Sequence, residues 1–187
     1  GGLYNEFIEQ RTPLQLMKTL MANYILEGIY FYSGFMFFYN LGRMGLMPGS
    51  VQEIRYINRD ENTHLWLFRS IILELRKEEP QLFVPEYEQL YRDMLKQGVE
   101  EEIEWGCSIL GDEIPGLNKT MIRDYIHYLG NLRAKAIGLD LIYPGEEEEP
   151  SSMKWVSQYA NANLIKTDFF EARSSAYAKA SALKDDL

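Results

Sequence analysis

From Leu14 to Gly42 the chain is apolar almost throughout, and Thr12-Pro13-Leu14-Gln15 opens this run with a capping residue, a proline at the first helical position and a glutamine three after the cap. The pattern predicts one long first helix ending at Gly42 or Gly45. Pro48-Gly49-Ser50 then breaks the chain. Ser50 with Glu53 reads as a second capping box ahead of Ile54, Ile57, Leu65, Phe68, Ile72 and Leu75, whose helical spacing predicts a second long helix ending before Pro80. Amphipathic stretches from Pro85 to about Leu110 and from about Asn118 to Ile137 predict helices three and four, punctuated by Gly111, Pro115-Gly116 and Gly138. Periodicity fades after that, apart from a short helix expected around Ser151 to Tyr159. No stretch alternates like a strand. The expected fold class is all-α, with a helical body over residues 1–140 and an irregular tail over 141–187.

Composition narrows the functions. At 187 residues and 46% hydrophobic content the chain can bury the core of one domain. Its 28 acidic and 19 basic residues leave a net charge of -9, the wrong sign for neutralising nucleic-acid phosphates or an anionic membrane surface. Neither is an expected partner. Cys107 has no second cysteine to pair with, and Gly1-Gly2-Leu3 does not open a secretory signal, so the cytoplasm is the expected compartment. With no initiator methionine, the chain begins either with a tag remnant or as a piece of something longer.

Within the first apolar run Glu27 is the sole charged side chain between Lys18 and Arg43. A buried, ionised carboxylate needs a partner. Three readings compete: a membrane span, which Asn23, Glu27, Ser33 and several tyrosines interrupt; a helix contact neutralised by an arginine; and metal ligation. Metal ligation needs further ligands, and Glu61-Asn62-Thr63-His64 offers them. Its i, i+3 spacing puts Glu61 and His64 on one helix face, otherwise made of Ile54, Ile57, Leu65, Phe68 and Ile72, so the pair is expected to project inward. Glu-x-x-His alone is a weak signal. With a lone glutamate on the neighbouring helix it matches the ferritin-like dimetal carboxylate bundles, in which two helices each give a glutamate and two each give Glu-x-x-His. Carboxylates and imidazole in that ratio suit iron or manganese.

The segments Leu26-Glu-Gly-Ile-Tyr-Phe-Tyr-Ser-Gly-Phe35 and Ile57-Asn-Arg-Asp-Glu-Asn-Thr-His64, in this order and separation, resemble the second ligand pair of the small, radical-generating subunit of class I ribonucleotide reductases. The resemblance continues through Tyr125 to Tyr143 and into Thr167-Asp-Phe-Phe-Glu-Ala-Arg173 and Tyr177, and it corresponds to the C-terminal half of that subunit. It implies a ferritin-like half bundle in which Glu27, Glu61 and His64 are ligands of a dinuclear Fe/Fe or Mn/Fe centre. It further implies that Phe31 and Ile57 form a dry apolar wall. Asp60, supported by Arg59, and Tyr177 would carry the radical equivalent outward, and the tail to Leu187 would dock on the large catalytic subunit. The organic task of the whole enzyme would be reduction of ribonucleoside diphosphates, with the oxygen and metal chemistry supplied by the cofactor.

Plainer roles stay open for some of these residues. Asp60 would equally serve as a brace for His64, Tyr177 as an ordinary tail tyrosine, and Phe31 and Ile57 as packing. His127 does not fall on a ligand position and is expected to be a satisfied structural histidine. The Glu100 to Glu104 cluster is expected to be a solvated face, and Trp66, Trp105 and Trp155 to be packing residues.

The ligands and radical tyrosine that the family carries before this segment have no counterpart here, and half of a four-helix core leaves apolar faces around Phe31 and Phe68 in water. The expected partner is therefore a polypeptide carrying the N-terminal half, in a dimer of complete small subunits. Two copies of the chain about a two-fold axis are the variant. Alternatives from other classes are a different ferritin-like oxidase or desaturase, whose activity would survive loss of the tail, and a structural helical subunit that binds no metal.

Overall fold

The computed structural model describes residues 2–161, and among them every regular element is helical. The helices are α1 (Gly2–Gln10), α2 (Pro13–Gly28), α3 (Tyr32–Arg43), α4 (Pro48–Glu78), α5 (Pro85–Leu110), α6 (Lys119–Ala136) and α7 (Lys154–Asn161), with tight 3-10 turns at Pro80–Phe83 and Ser151–Met153. None of the helices is long and apolar enough to cross a membrane.

The starts of the helices follow local chemistry. Thr12 Oγ1 accepts from the Gln15 amide at 3.2 Å, and Pro13 occupies the first turn of α2. Asn118 Oδ1 accepts from the Met121 amide at 2.9 Å and opens α6. At α4 the expected cap gives way. The helix starts at Pro48, after Met47 in a left-handed conformation (φ 47°) with no side-chain cap, and Ser50 lies inside the first turn. Pro48 already has the φ that a first helical residue requires, so the helix begins there instead of at the Ser50 capping box. The segment Gly2–Gln10, for which the pattern gave no helix, forms α1 and packs along α2.

The expected single first helix is two. After Gly28 the chain leaves α2, passes Phe31 in the left-handed region (φ 78°) and resumes as α3 at Tyr32. Both the Ile29 and Tyr30 amides reach the Ile25 carbonyl, at 2.9 and 3.3 Å. The bond from Tyr30 is an i→i−5 contact, which inserts an extra residue into that turn.

Helix α4 runs antiparallel to α2 and α3. Leu65 lies against Gly28, Asn58 against Tyr39, and Val51 against Gly42. On the other side of α2 and α3 lies α5, which in turn packs along α6. The core between them contains Met17, Met21, Tyr24, Ile25, Met36, Tyr39, Leu95, Val99, Ile122 and Ile126. Residues past the expected boundary at 140 join this same core through Met153, Trp155 and Val156. Asn131 organises the approach, accepting from the Ile142 and Tyr143 amides at 2.9 Å each and donating to the Tyr143 and Glu146 carbonyls at 2.7 and 3.0 Å.

Candidate metal centre

Glu27 occupies the last turn of α2, just ahead of the break. Glu61 and His64 lie in mid-α4, where the antiparallel register brings them opposite it. His64 Nδ1 is 3.0 Å from Glu61 Oε2 and 3.5 Å from Glu27 Oε2. One potential ligand atom from each of the three lies within 4.8 Å of the others, and among the described residues no other such group forms.

The electrostatics fit a cation. Partial burial, followed by the hydrogen bond and charge of Glu61, pushes the Glu27 carboxyl up to about 7, with His64 acting in the opposite direction. The His64 imidazole is raised, chiefly by its hydrogen bond to Glu61. The Glu27 carboxyl thus holds its proton in the absence of a cation, and a divalent cation beside it would supply that compensation with the donor types that suit iron or manganese.

The expectation that the pair projects into the interior is half right. Leu65 and Ile72 are buried, but the His64 side chain is 54% exposed and Ile57 is 46% exposed. Phe31 is also open, at 47%. The reason is steric coverage: α4 packs on one side of α2 and α3 and α5 on the other, and the Glu27–Glu61–His64 edge has no helix over it among the described residues. Phe31 and Ile57 therefore flank the ligand group without enclosing it. Trp66, expected to pack, is 63% exposed, and Trp105 is also exposed. Trp155 is buried, with the Arg43 guanidinium 4.4 Å above its ring.

Asp60 pairs with its neighbour Arg59 at 3.1 Å on the exposed side of α4, while His64 Nδ1 pairs with Glu61 and Glu27. Tyr177 and the Phe169-Phe170-Glu171 segment lie outside the described residues. His127 is satisfied as expected: Nδ1 meets Glu146 at 3.0 Å, and the ring stacks on Tyr143 at 3.9 Å.

The glutamate cluster needs correcting at one position. Glu102 is 3% exposed, and its carboxylate accepts from the Ser33 amide at 2.8 Å, so it belongs to the interior beneath the helix break. On the other flank of the break Arg133 Nε donates to the Gly28 carbonyl at 3.0 Å, and its Nη2 donates to Tyr32 Oη at 2.8 Å. Sequence reasoning missed both residues. A signal was available for the first: Gly98, Glu102 and Gly106 share one face of α5 at i, i+4, i+8, beside the buried Leu95 and Val99.

A chain whose described residues are all-helical in their regular elements, and which gathers a glutamate and a Glu-x-x-His pair from neighbouring helices, belongs to the ferritin-like class of carboxylate–histidine bundles. Comparison with known proteins names the family within it. The description "Ribonucleotide reductase, small chain" matches residues 3–150, and the chain belongs to that family. Among curated relatives, a ribonucleoside-diphosphate reductase subunit beta of Treponema pallidum is 67% identical over 187 residues, covering 100% of this chain and 53% of the relative. One of Halalkalibacterium halodurans is 40% identical over 179 residues, 96% of this chain and 51% of the relative. A solved ribonucleotide reductase subunit from Clostridium botulinum superposes with a TM-score of 0.80 at 46% identity, over 85% of this chain and 50% of that one. The chain thus spans about half the length of the relatives it matches.

Proposed function

We propose that these residues form part of the small subunit of a ribonucleoside-diphosphate reductase and contribute Glu27, Glu61 and His64 to a dinuclear Fe/Fe or Mn/Fe centre. The observation that carries this reading is the convergence of those three side chains within 4.8 Å, in a chain of this family. The centre, when bound, supplies the oxidising equivalent.

Everything else is the work of the protein. Glu27 gives up its proton, Glu61 adds a second carboxylate, His64 presents a ring nitrogen, and α4 fixes Glu61 and His64 one turn apart. Three ligands leave two ions incompletely coordinated, and the exposed edge formed by Phe31 and Ile57 is too apolar to remain in water. That edge supports closure by helices carrying a further glutamate and a further Glu-x-x-His, from a polypeptide that supplies the N-terminal half of the bundle. Phe31 and Ile57 then become the dry wall.

Outward transfer falls to Asp60, held by Arg59 beside the ligand Glu61, and to Tyr177, with the tail docking on a large catalytic subunit where ribonucleotides are reduced. The family precedent for assembly is a dimer of complete small subunits. The test is the full chain, in the assembly in which it purifies, assayed with the large subunit for deoxyribonucleotide formation. Wild type should turn over. Glu61→Ala should lose metal and turnover together, and Tyr177→Phe should keep metal and lose turnover. Undiminished metal in Glu61→Ala, or undiminished turnover in Tyr177→Phe, would contradict the assigned roles.

A further inference from the structure

Helices α5 and α6 contribute none of the three candidate ligands, yet each sends one buried or half-buried charged side chain to the same place: the break between α2 and α3, immediately after Glu27. A helix that ends in the interior leaves carbonyls without partners, and one that starts there leaves amides without partners. The break creates both. Arg133 of α6 donates to the Gly28 carbonyl at the C-terminal end of α2, and Glu102 of α5 accepts from the Ser33 amide at the start of α3. Each charge has the sign that the local helix dipole favours, cation at the carbonyl end and anion at the amide end.

The backbone is shaped to let these groups in. A Cβ on Gly28 would lie 2.8 Å from Leu65 and 3.2 Å from Arg133 Nε. One on Gly106 would lie 2.4 Å from Ser33 Oγ, and one on Gly98 would lie 2.4 Å from Ile25. The two α5 glycines stand one turn on either side of Glu102, so α5 approaches closely enough for a short carboxylate arm to reach the Ser33 amide. The Ser33 hydroxyl makes a further long contact of 3.5 Å with the Glu102 carbonyl.

We propose that Glu102 and Arg133 are positioning residues that hold the α2–α3 break open and thereby aim Glu27 at Glu61 and His64. Each residue in an α-helix turns by about 100°, so an extra residue in the turn at Ile25–Tyr30 rotates everything after it by that amount. With the break in place, Glu27 faces α4 while Phe35, Met36 and Tyr39 of α3 all face the core. If the break closed into continuous helix, Glu27 and the α3 core residues could not both keep their directions. The clamp also holds Phe31 in its left-handed conformation, which an isolated helix would not retain.

This inference rests on the metal-site reading for its consequence, and the experiment separates the two. Glu102→Leu, Glu102→Gln, Arg133→Met and the core control Leu95→Ala would be made in the full chain, in the assembly in which it purifies. Two quantities are read well below the unfolding temperature: hydrogen exchange of the Phe31–Ser33 amides, and the dissociation constant for manganese(II) alone. Glu102→Leu and Arg133→Met should speed exchange at the break and weaken manganese binding about tenfold or more, the usual scale for groups that orient ligands. Glu102→Gln keeps an acceptor for the Ser33 amide and should restore both readings. Leu95→Ala should lower thermal stability and move neither. Unchanged exchange in Glu102→Leu and Arg133→Met overturns the clamp, as does a manganese loss in Leu95→Ala equal to theirs. A wild-type assembly that binds no manganese overturns the metal reading, and the exchange data still decide the clamp.

Discussion

Helices α2, α3 and α4 have two unlike sides. Toward α5 and α6 the surface is finished: Ser33, Met36, Val99, Ile122 and Ile126 are fully buried, and the groups freed by the helix break meet Glu102 and Arg133. Toward the Glu27–Glu61–His64 edge the same helices present Phe31 and Ile57 to solvent. The same group of helices is thus packed to interior standards on one side and left open on the other, where the candidate ligands lie. On the proposed reading the packed side fixes directions, and the open side holds the candidate ligands and awaits covering helices.

The largest effect should come from attacking the open side at its centre. Glu61→Ala removes one of the two carboxylates and the partner of His64, and metal retention, measured by elemental analysis after desalting, should fall to background. Next, Gly106→Val attacks the packed side, forcing a side chain into the space of Ser33. It should cost about 1–3 kcal/mol by chemical denaturation. Tyr39→Phe strips the partner from the buried Asn58 amide, bonded at 2.6 Å, and should cost on the order of 1 kcal/mol. The contrast sharpens with Ile57→Ser, which should alter the stability of this chain alone by no more than about 0.5 kcal/mol while weakening its association with the helices that cover the edge, read by native mass.

A subtler consequence concerns pH. Burial raises the Glu102 carboxyl above its ordinary value of 4.5, the hydrogen bonds from Ser33 opposing it only in part. The folded state therefore binds the proton more tightly than the unfolded chain. The stability linked to this group is complete below the ordinary carboxylate value and is lost as pH rises through the raised folded value. Glu102→Gln, which cannot ionise, should gain stability relative to wild type as pH rises through that window, seen as diverging denaturation midpoints. Parallel midpoints would show that Glu102 does not titrate as its burial dictates.

How much of this was legible in the sequence follows from the range of the forces involved. Caps at Thr12 and Asn118 and the helical spacing in α4, α5 and α6 are local signals, and they place those elements where they are found. The convergence of Glu27, Glu61 and His64 was legible because a lone charge in an apolar run and an i, i+3 pair are both anomalies against their surroundings. The break at Ile29–Phe31 was not, since no residue there forbids helix and the left-handed φ of Phe31 is imposed from α5 and α6. Glu102 was hidden among four other acidic or apolar neighbours whose exposure it does not share. The openness of His64 and Trp66 was invisible too, because amphipathic spacing states that a face is apolar without stating what covers it.

The central claim is that these helices hold one part of a dinuclear site whose remaining ligands come from helices laid over the Phe31–Ile57 edge. Native mass spectrometry of the protein purified from its own cells, combined with a metal count, tests it most directly. The account predicts this chain in a complex that supplies the covering helices, with two metal ions for each copy. A folded monomer of these residues alone, free of metal and with Phe31 and Ile57 still open to solvent, would contradict it.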